Sequence, residues 1–175
     1  KNFHKLKILN KIKIIKFDIY NQTKIEQLIK KTNCSNIYYF AGQSSLQKSF
    51  VKIIETFKSH NLPLYNILYS VMKLNKKIKI FNACSGLIYE QKVKLITENS
   101  KINPNSPYGF SKLVSYLMVK YFRENHGLWC CSGLFFNHES ELRPNYYVIK
   151  KITNYLKKKN KQINKLININ TSKDW

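Results

Sequence analysis

Ser106-Pro107-Tyr108-Gly109-Phe110-Ser111-Lys112 is the stretch on which the reading of this chain turns. Serine followed by proline is a helix opening, because a hydroxyl can accept a free amide of the first turn and proline has no N–H there to leave unsatisfied. Helical spacing then continues to Asn125, and Gly127 stands where a helix stops. On either side lie apolar runs of strand length, residues 77–83 before it and residues 128–136 after it. A strand, a long helix and a strand in that order are the parts of a parallel sheet.

The same alternation continues outward. Residues 36–40 read as a short buried strand rich in aromatics, ending in the small-residue turn Ala41-Gly42-Gln43-Ser44-Ser45. Before it, residues 11–17 alternate basic and apolar side chains as a strand does, and residues 23–31 have helical spacing. After it, residues 49–74 form a long helical stretch in which Pro63 should mark a kink or a break. A polar loop covers roughly residues 90–105. Beyond residue 136 the pattern gives a helix over 146–159 and a last strand over 166–170. The expected fold is α/β, a Rossmann-like, doubly wound parallel sheet with helices on both faces. Ligands of such sheets sit beyond the carboxyl ends of the strands. Residues 41–45, 85–87 and 137–140 each follow one.

One domain is the expectation for 175 residues, of which 43% are hydrophobic. No run approaches the roughly 20 apolar residues of a membrane span, and a cytoplasmic location is the default. Lysine and arginine number 31 against 9 acidic residues, a net charge of +22. A non-catalytic basic binding protein for nucleic acid or an anionic surface is one reading of that charge. The basic residues are spread along the whole chain rather than gathered in one segment, and arginine, the preferred reader of bases, is scarce. Compositional bias is therefore the preferred reading, with no nucleic-acid partner. Cys34, Cys84, Cys130 and Cys131 form no C-x-x-C pair. Reduced, mostly buried thiols are expected, and no metal site.

Within the opening stretch, Tyr108 and Lys112 lie at i and i+4, on one face of a helix. A neighbouring ammonium favours the phenolate and suits the phenol to proton transfer. Ser85 lies just after the strand that precedes this helix, so its hydroxyl can orient a substrate hydroxyl beside Tyr108. Spacing alone is weak evidence in a chain so rich in tyrosine and lysine, and a half-exposed helix face would look the same.

The segment ending in residues 104–112 resembles the entry to the catalytic helix of the extended short-chain dehydrogenases. More narrowly, Leu134-Phe135-Phe136-Asn137-His138-Glu139-Ser140 with Arg143 is similar to a stretch typical of GDP-mannose 4,6-dehydratases. So are Lys150-Lys151-Ile152-Thr153, the closing Lys173-Asp174-Trp175, and residues 38–50 with Ala41, Gln43, Ser44, Ser49 and Phe50. The resemblance runs unbroken from about Phe17 onward. It implies Asp18 and Ile19 near an adenine, and Phe40, Ala41, Gly42, Gln43 and Ser44 beneath the ribose and phosphates of NADP, with NAD the other possibility. It makes Ser85 the hydroxyl-orienting residue, Tyr108 the acid/base and Lys112 the ribose-holding lysine. His138 and Arg143 would contact the cofactor side; Asn137, Val148 and Lys151 would contact a GDP-sugar. A homo-oligomer is implied as well.

The chain departs from that pattern in several places. No G-x-G-x-x-G or G-x-x-G-x-x-G run is present, and glycines number five in all. Residues 1–175 are accordingly expected to be a partial NAD(P)-binding domain, an internal fragment lacking the first βαβ unit and the C-terminal substrate part. Where such dehydratases carry a glutamate two residues after the serine, this chain has Leu87, and Glu90 and Glu55 stand in place of a glycine and a tyrosine. The family reaction oxidises the sugar at C4, removes the C5 proton as the C6 hydroxyl leaves, and returns hydride to C6. A carboxylate performs the middle step, and leucine transfers no proton. Leu87 would suit an epimerase or 4-keto reductase of the same family, which needs serine, tyrosine and lysine alone.

Overall fold

The computed structural model of this chain describes residues 6–92, 95–145 and 147–157. These divide into two compact units, one built from residues 16–135 and the other from the described residues of 1–15 and 136–175.

The larger unit is a parallel sheet with its helices. Strands β1 (Asn36–Tyr39), β2 (Lys79–Ser85) and β3 (Cys130–Phe135) lie side by side in chain order. Tyr39 pairs with Asn82, and Ser85 with Phe135, so all three carboxyl ends share one edge of the sheet. Helix α1 (Gln22–Thr32) leads into β1; α2 (Leu46–Val51) and α3 (Ile53–Lys73) cross from β1 to β2, and α4 (Pro107–His126) from β2 to β3. The α/β, Rossmann-like class read from the sequence is the class observed.

The local chemistry explains the helix ends. Ser106 accepts the Gly109 amide at 3.0 Å and Pro107 takes the first helical position, as its sequence announces. Gly127 closes α4 in the left-handed conformation, with φ 62°. Asn21 caps α1 through the Lys24 amide at 3.0 Å.

Pro63 neither breaks nor ends its helix, contrary to expectation. It lies inside α3, and the interruption falls at Lys52, between α2 and α3. Proline removes the amide that would bond the carbonyl four residues back, that of Ser59. The Tyr39 hydroxyl donates to that same carbonyl at 2.8 Å. The loss is thus made good from β1, and α3 continues.

One face of the sheet packs under α3 and α4. Ile80 and Cys130 from the strands meet Leu64, Leu68 and Val71 of α3 and Val119 and Phe122 of α4, with Ile25 and Ile29 of α1 completing the core. Leu64 and Leu68 have no exposed surface, so truncating either to alanine costs about 2–5 kcal/mol. The opposite face carries an aromatic cluster. Phe81 lies 5.9–6.1 Å, centroid to centroid, from Tyr38, Phe40 and Phe135. Tyr38 and Phe40 are 67% and 62% exposed.

The smaller unit holds a single 3₁₀ turn, Leu9–Lys11, and helix α5 (Val148–Lys157). The strand expected over residues 11–17 is not seen: residues 12–17 have no ladder partner among the described residues. Alternation describes which side chains would share a face, but a strand also needs a neighbouring edge. Residues 158 and 159 of the last helix and the strand expected over 166–170 lie outside the described residues. All four cysteines are free; Cys84 and Cys130 are buried, Cys34 is half-buried and Cys131 is exposed. No described helix is long and apolar enough to cross a membrane.

Candidate active site

The carboxyl edge of the sheet brings three of the sequence-derived residues together within the larger unit. Ser85 is the last residue of β2, and its Oγ accepts the Leu87 amide at 3.2 Å across a short 3₁₀ turn, Gly86–Ile88. The hydroxyl hydrogen is not consumed by that bond. Tyr108 and Lys112 sit on the first turns of α4. That helix start lies directly against the 3₁₀ turn: a Cβ on Gly109 would come 2.5 Å from the Leu87 carbonyl. Glycine is therefore what allows Tyr108 to stand so close to the end of β2.

Lys112 is the most constrained member. It is 6% exposed, and its Nζ donates to the Ala83 carbonyl at 2.7 Å while lying 5.8 Å from the Tyr108 ring centroid. Burial disfavours its charge and lowers its pKa to about 8, against partial opposition from Cys84. The ammonium is thus tied to β2 two residues before Ser85, beneath the tyrosine.

The turn after β1 adjoins this group. Phe40, Ala41, Gly42 and Ser44 are exposed and Gln43 half-buried. Gln43 is held by the Ser59 hydroxyl at its amide and by Thr56 and Ser45 at its side chain. His60 of α3, which the sequence reading passed over, joins the turn to the helix. Its Nε2 lies 2.7 Å from the Gln43 carbonyl and its ring meets Tyr108 edge-on, 5.4 Å between centroids at 82°. No motif signals it, since a lone histidine seventeen residues beyond Gln43 acquires meaning only through the fold.

The remaining residues lie elsewhere. Asp18 accepts the Tyr20 amide at 2.9 Å in the approach to α1, and Ile19 packs partly on the core. Asn137, His138, Arg143, Val148 and Lys151 belong to the smaller unit. There, Arg143 pairs with Glu139 at 3.4 Å and lies 3.8 Å over the Tyr147 ring, and His138 Nδ1 is 2.9 Å from the Phe136 carbonyl. Val148 opens α5 and is 54% exposed, and Lys151 follows on the same helix. Glu55 is exposed and paired with Lys52 at 2.8 Å; Glu90 pairs with Lys101 at 3.8 Å. Among the described residues no cluster of metal-ligating side chains occurs.

A nicotinamide nucleotide is the group this fold commonly takes, and the residues present fit one in part. The turn at the end of β1 exposes backbone, and the missing Cβ of Gly42, at φ 132°, leaves room for the His60 ring on its inner side. Lys112 of α4, held against Ala83 of β2, would supply a donor. The glycine-rich phosphate loop has no counterpart in the sequence.

Solved nucleotide-sugar dehydratases and epimerases share this fold. A double mutant of dTDP-glucose 4,6-dehydratase from Streptomyces venezuelae, solved with NAD bound, superposes with a TM-score of 0.78 at 17% identity, over 90% of this chain and 48% of that one. UDP-glucuronic acid 4-epimerase from Bacillus cereus, solved with UDP-glucuronic acid and NAD, gives 0.78 at 16% identity, over 90% and 49%. More narrowly, the chain belongs to the GDP-mannose 4,6 dehydratase family, whose model matches residues 1–175. The GDP-mannose 4,6 dehydratase of Dictyostelium discoideum is 30% identical over 90% of this chain, and that of Vibrio cholerae 26% identical over 90%. The chain spans 46% and 44% of the length of these two relatives.

Proposed function

We propose that the intact protein is a cytoplasmic, NADP-dependent enzyme that oxidises a GDP-sugar at C4, with residues 1–175 contributing part of its NAD(P)-binding domain. The observation that carries this reading is the joining of Ser85, Tyr108 and Lys112 at one sheet edge, with Lys112 Nζ 2.7 Å from Ala83 on the strand that ends in Ser85. NAD in place of NADP is the other cofactor assignment. The relatives named for GDP-mannose supply the substrate class, and the exposed apolar groove of Tyr65, Tyr69, Leu117 and Tyr121 on α3 and α4 suits a homo-oligomer.

In this reading a bound nicotinamide supplies the hydride acceptor. Ser85 holds the sugar hydroxyl by donating the hydrogen that its bond from Leu87 leaves over. Tyr108 takes the hydroxyl proton as the C4 hydrogen departs with its electron pair, leaving a ketone. Lys112 holds the ribose and stabilises the phenolate by its charge. Phe40, Ala41, Gly42, Gln43 and Ser44 line the ribose and phosphates, Asp18 and Ile19 the adenine, and His138 and Arg143 complete the cofactor side. Asn137, Val148 and Lys151 hold the GDP-sugar.

Leu87 favours a second reading in which the chemistry stops at C4. Its side chain offers no proton carrier beside Ser85, so epimerisation or 4-keto reduction needs nothing this site lacks. Incubating the intact protein with GDP-mannose and NADP⁺ separates the two. Accumulation of the 4-keto-6-deoxy sugar supports the dehydratase; a C4-epimerised GDP-sugar with no net change in cofactor, or oxidation of NADPH by an added GDP-4-keto sugar, supports the second reading. No change in either sugar rejects both.

A further inference from the structure

We propose that His60 is a positioning residue of this site, its imidazole fastening the Gly42–Gln43 turn to Tyr108. The inference rests on the reading of Tyr108 as the acid/base and of residues 40–44 as the cofactor-facing turn.

A carbonyl oxygen only accepts, so the 2.7 Å contact to Gln43 makes His60 Nε2 the protonated nitrogen. Nδ1 is then a bare acceptor, buried with no hydrogen-bond partner in the described structure. It faces Gly42: a Cβ there would run into Nδ1 and Cε1 of the ring. The turn is therefore bound to the imidazole at Gln43 and packed against it at Gly42. The ring also meets Tyr108, 5.4 Å between centroids at 82°, the favoured edge-to-face arrangement of aromatic groups. His60 is 2% exposed, so neither contact can swing into solvent.

A cation here would lie in a buried space beside Lys112, with Tyr108 the other titratable group against its ring. Burial first and Lys112 second lower the His60 pKa to about 4, against the smaller effect of the Gln43 bond. The ring stays neutral at physiological pH, and the tautomer that holds the turn stays fixed. An imidazole kept neutral and oriented gives Tyr108 a rigid wall. It also makes the shape of the cofactor turn depend on the helix that carries the wall.

Two variants of the intact protein divide the roles. His60→Gln keeps a donor for the Gln43 carbonyl and loses the ring; His60→Phe keeps a ring against Tyr108 and loses the donor. Fluorescence titration with NADPH should show His60→Phe binding about fivefold more weakly, the size of one lost hydrogen bond, while His60→Gln binds as the wild type does. Turnover at saturating cofactor should fall about tenfold in His60→Gln, the effect of a misplaced acid/base, and less in His60→Phe. Equal losses in both measures for both variants, tracking melting temperature, would reduce His60 to core packing and overturn the proposal. So would wild-type behaviour in both.

Wild-type protein that binds no NADPH and turns over no GDP-sugar would sink the proposed function. His60 is then judged by magnetic resonance on the imidazole nitrogens and the assigned Tyr108 ring. The proposal requires a neutral Nε2–H tautomer, and a Tyr108 signal displaced in His60→Gln but retained in His60→Phe. A protonated or exchanging imidazole refutes it.

Discussion

In the proposed function Tyr108 is the acid/base, and its replacement gives a clean expectation. Tyr108→Phe should lower the rate of C4 oxidation by about 10²–10⁴-fold, the usual worth of a positioned acid/base, while NADPH binding stays near wild type. Leu87→Glu runs the other way. Restoring a carboxylate two residues after Ser85 should raise the yield of 4-keto-6-deoxy sugar by at least about tenfold, read by mass spectrometry. A Leu87→Glu protein with unchanged product would show that this turn is not where the C5 proton is handled. The positions of Ser85 at a strand end and of Tyr108 and Lys112 on one helix were legible in the sequence, while their proposed roles rest on the family resemblance. His60 was not, since its partners Gln43 and Tyr108 are brought to it by two different crossovers.

At the scale of elements, α3 and β1 are joined by a bond that a proline makes necessary. Tyr39→Phe leaves the Ser59 carbonyl without the hydroxyl that serves it, and should lower stability by about 1–3 kcal/mol in denaturant unfolding. Pro63→Ala restores the helix amide to that carbonyl, so the two changes together should cost less than their sum. Additive losses would mean that Tyr39 and Pro63 act independently. The helices α1 and α4 were readable nearly to the residue, α1 from its spacing and α4 from the local signals Ser106-Pro107 and Gly127. The persistence of α3 through Pro63 was not readable, because its remedy comes from a tyrosine in another element. Residues 11–17 failed for the complementary reason: their alternation is local, but pairing is not.

For the larger unit as a whole, two buried cations-to-be set the response to pH. The unfolded chain holds a proton on Lys112 up to the ordinary lysine value of 10.5, the folded one only to about 8. Unfolding in that interval takes up a proton, so stability rises with pH from about 8. Cys84 and Cys130, raised by burial from 9.0 to about 11, act in the opposite sense above pH 9. The melting temperature should therefore climb between pH 8 and 9, and Lys112→Met should abolish the climb. On the acid side the same reasoning applies to His60, whose unprotonated folded form is lost as pH falls from 6.5 towards about 4. The exposed aromatic face makes a separate demand. Parallel sheets are ordinarily covered on both faces, so the 175-residue chain by itself should bind an apolar fluorescent dye. Tyr38→Thr combined with Phe40→Ser should remove most of that signal.

The spatial order of β1, β2 and β3 repeats their order in the chain. A ribosome emitting this polypeptide therefore releases each strand just as the free edge it must join becomes available. No strand has to be inserted between two that are already paired. Each docking closes a loop of some forty residues, a slow step, but one that elongation at about 5–20 residues per second can accommodate. Growth of the described sheet is thus sequential and edge-on, with Ser85 on β2 and Tyr108 and Lys112 on α4 made before β3 joins β2.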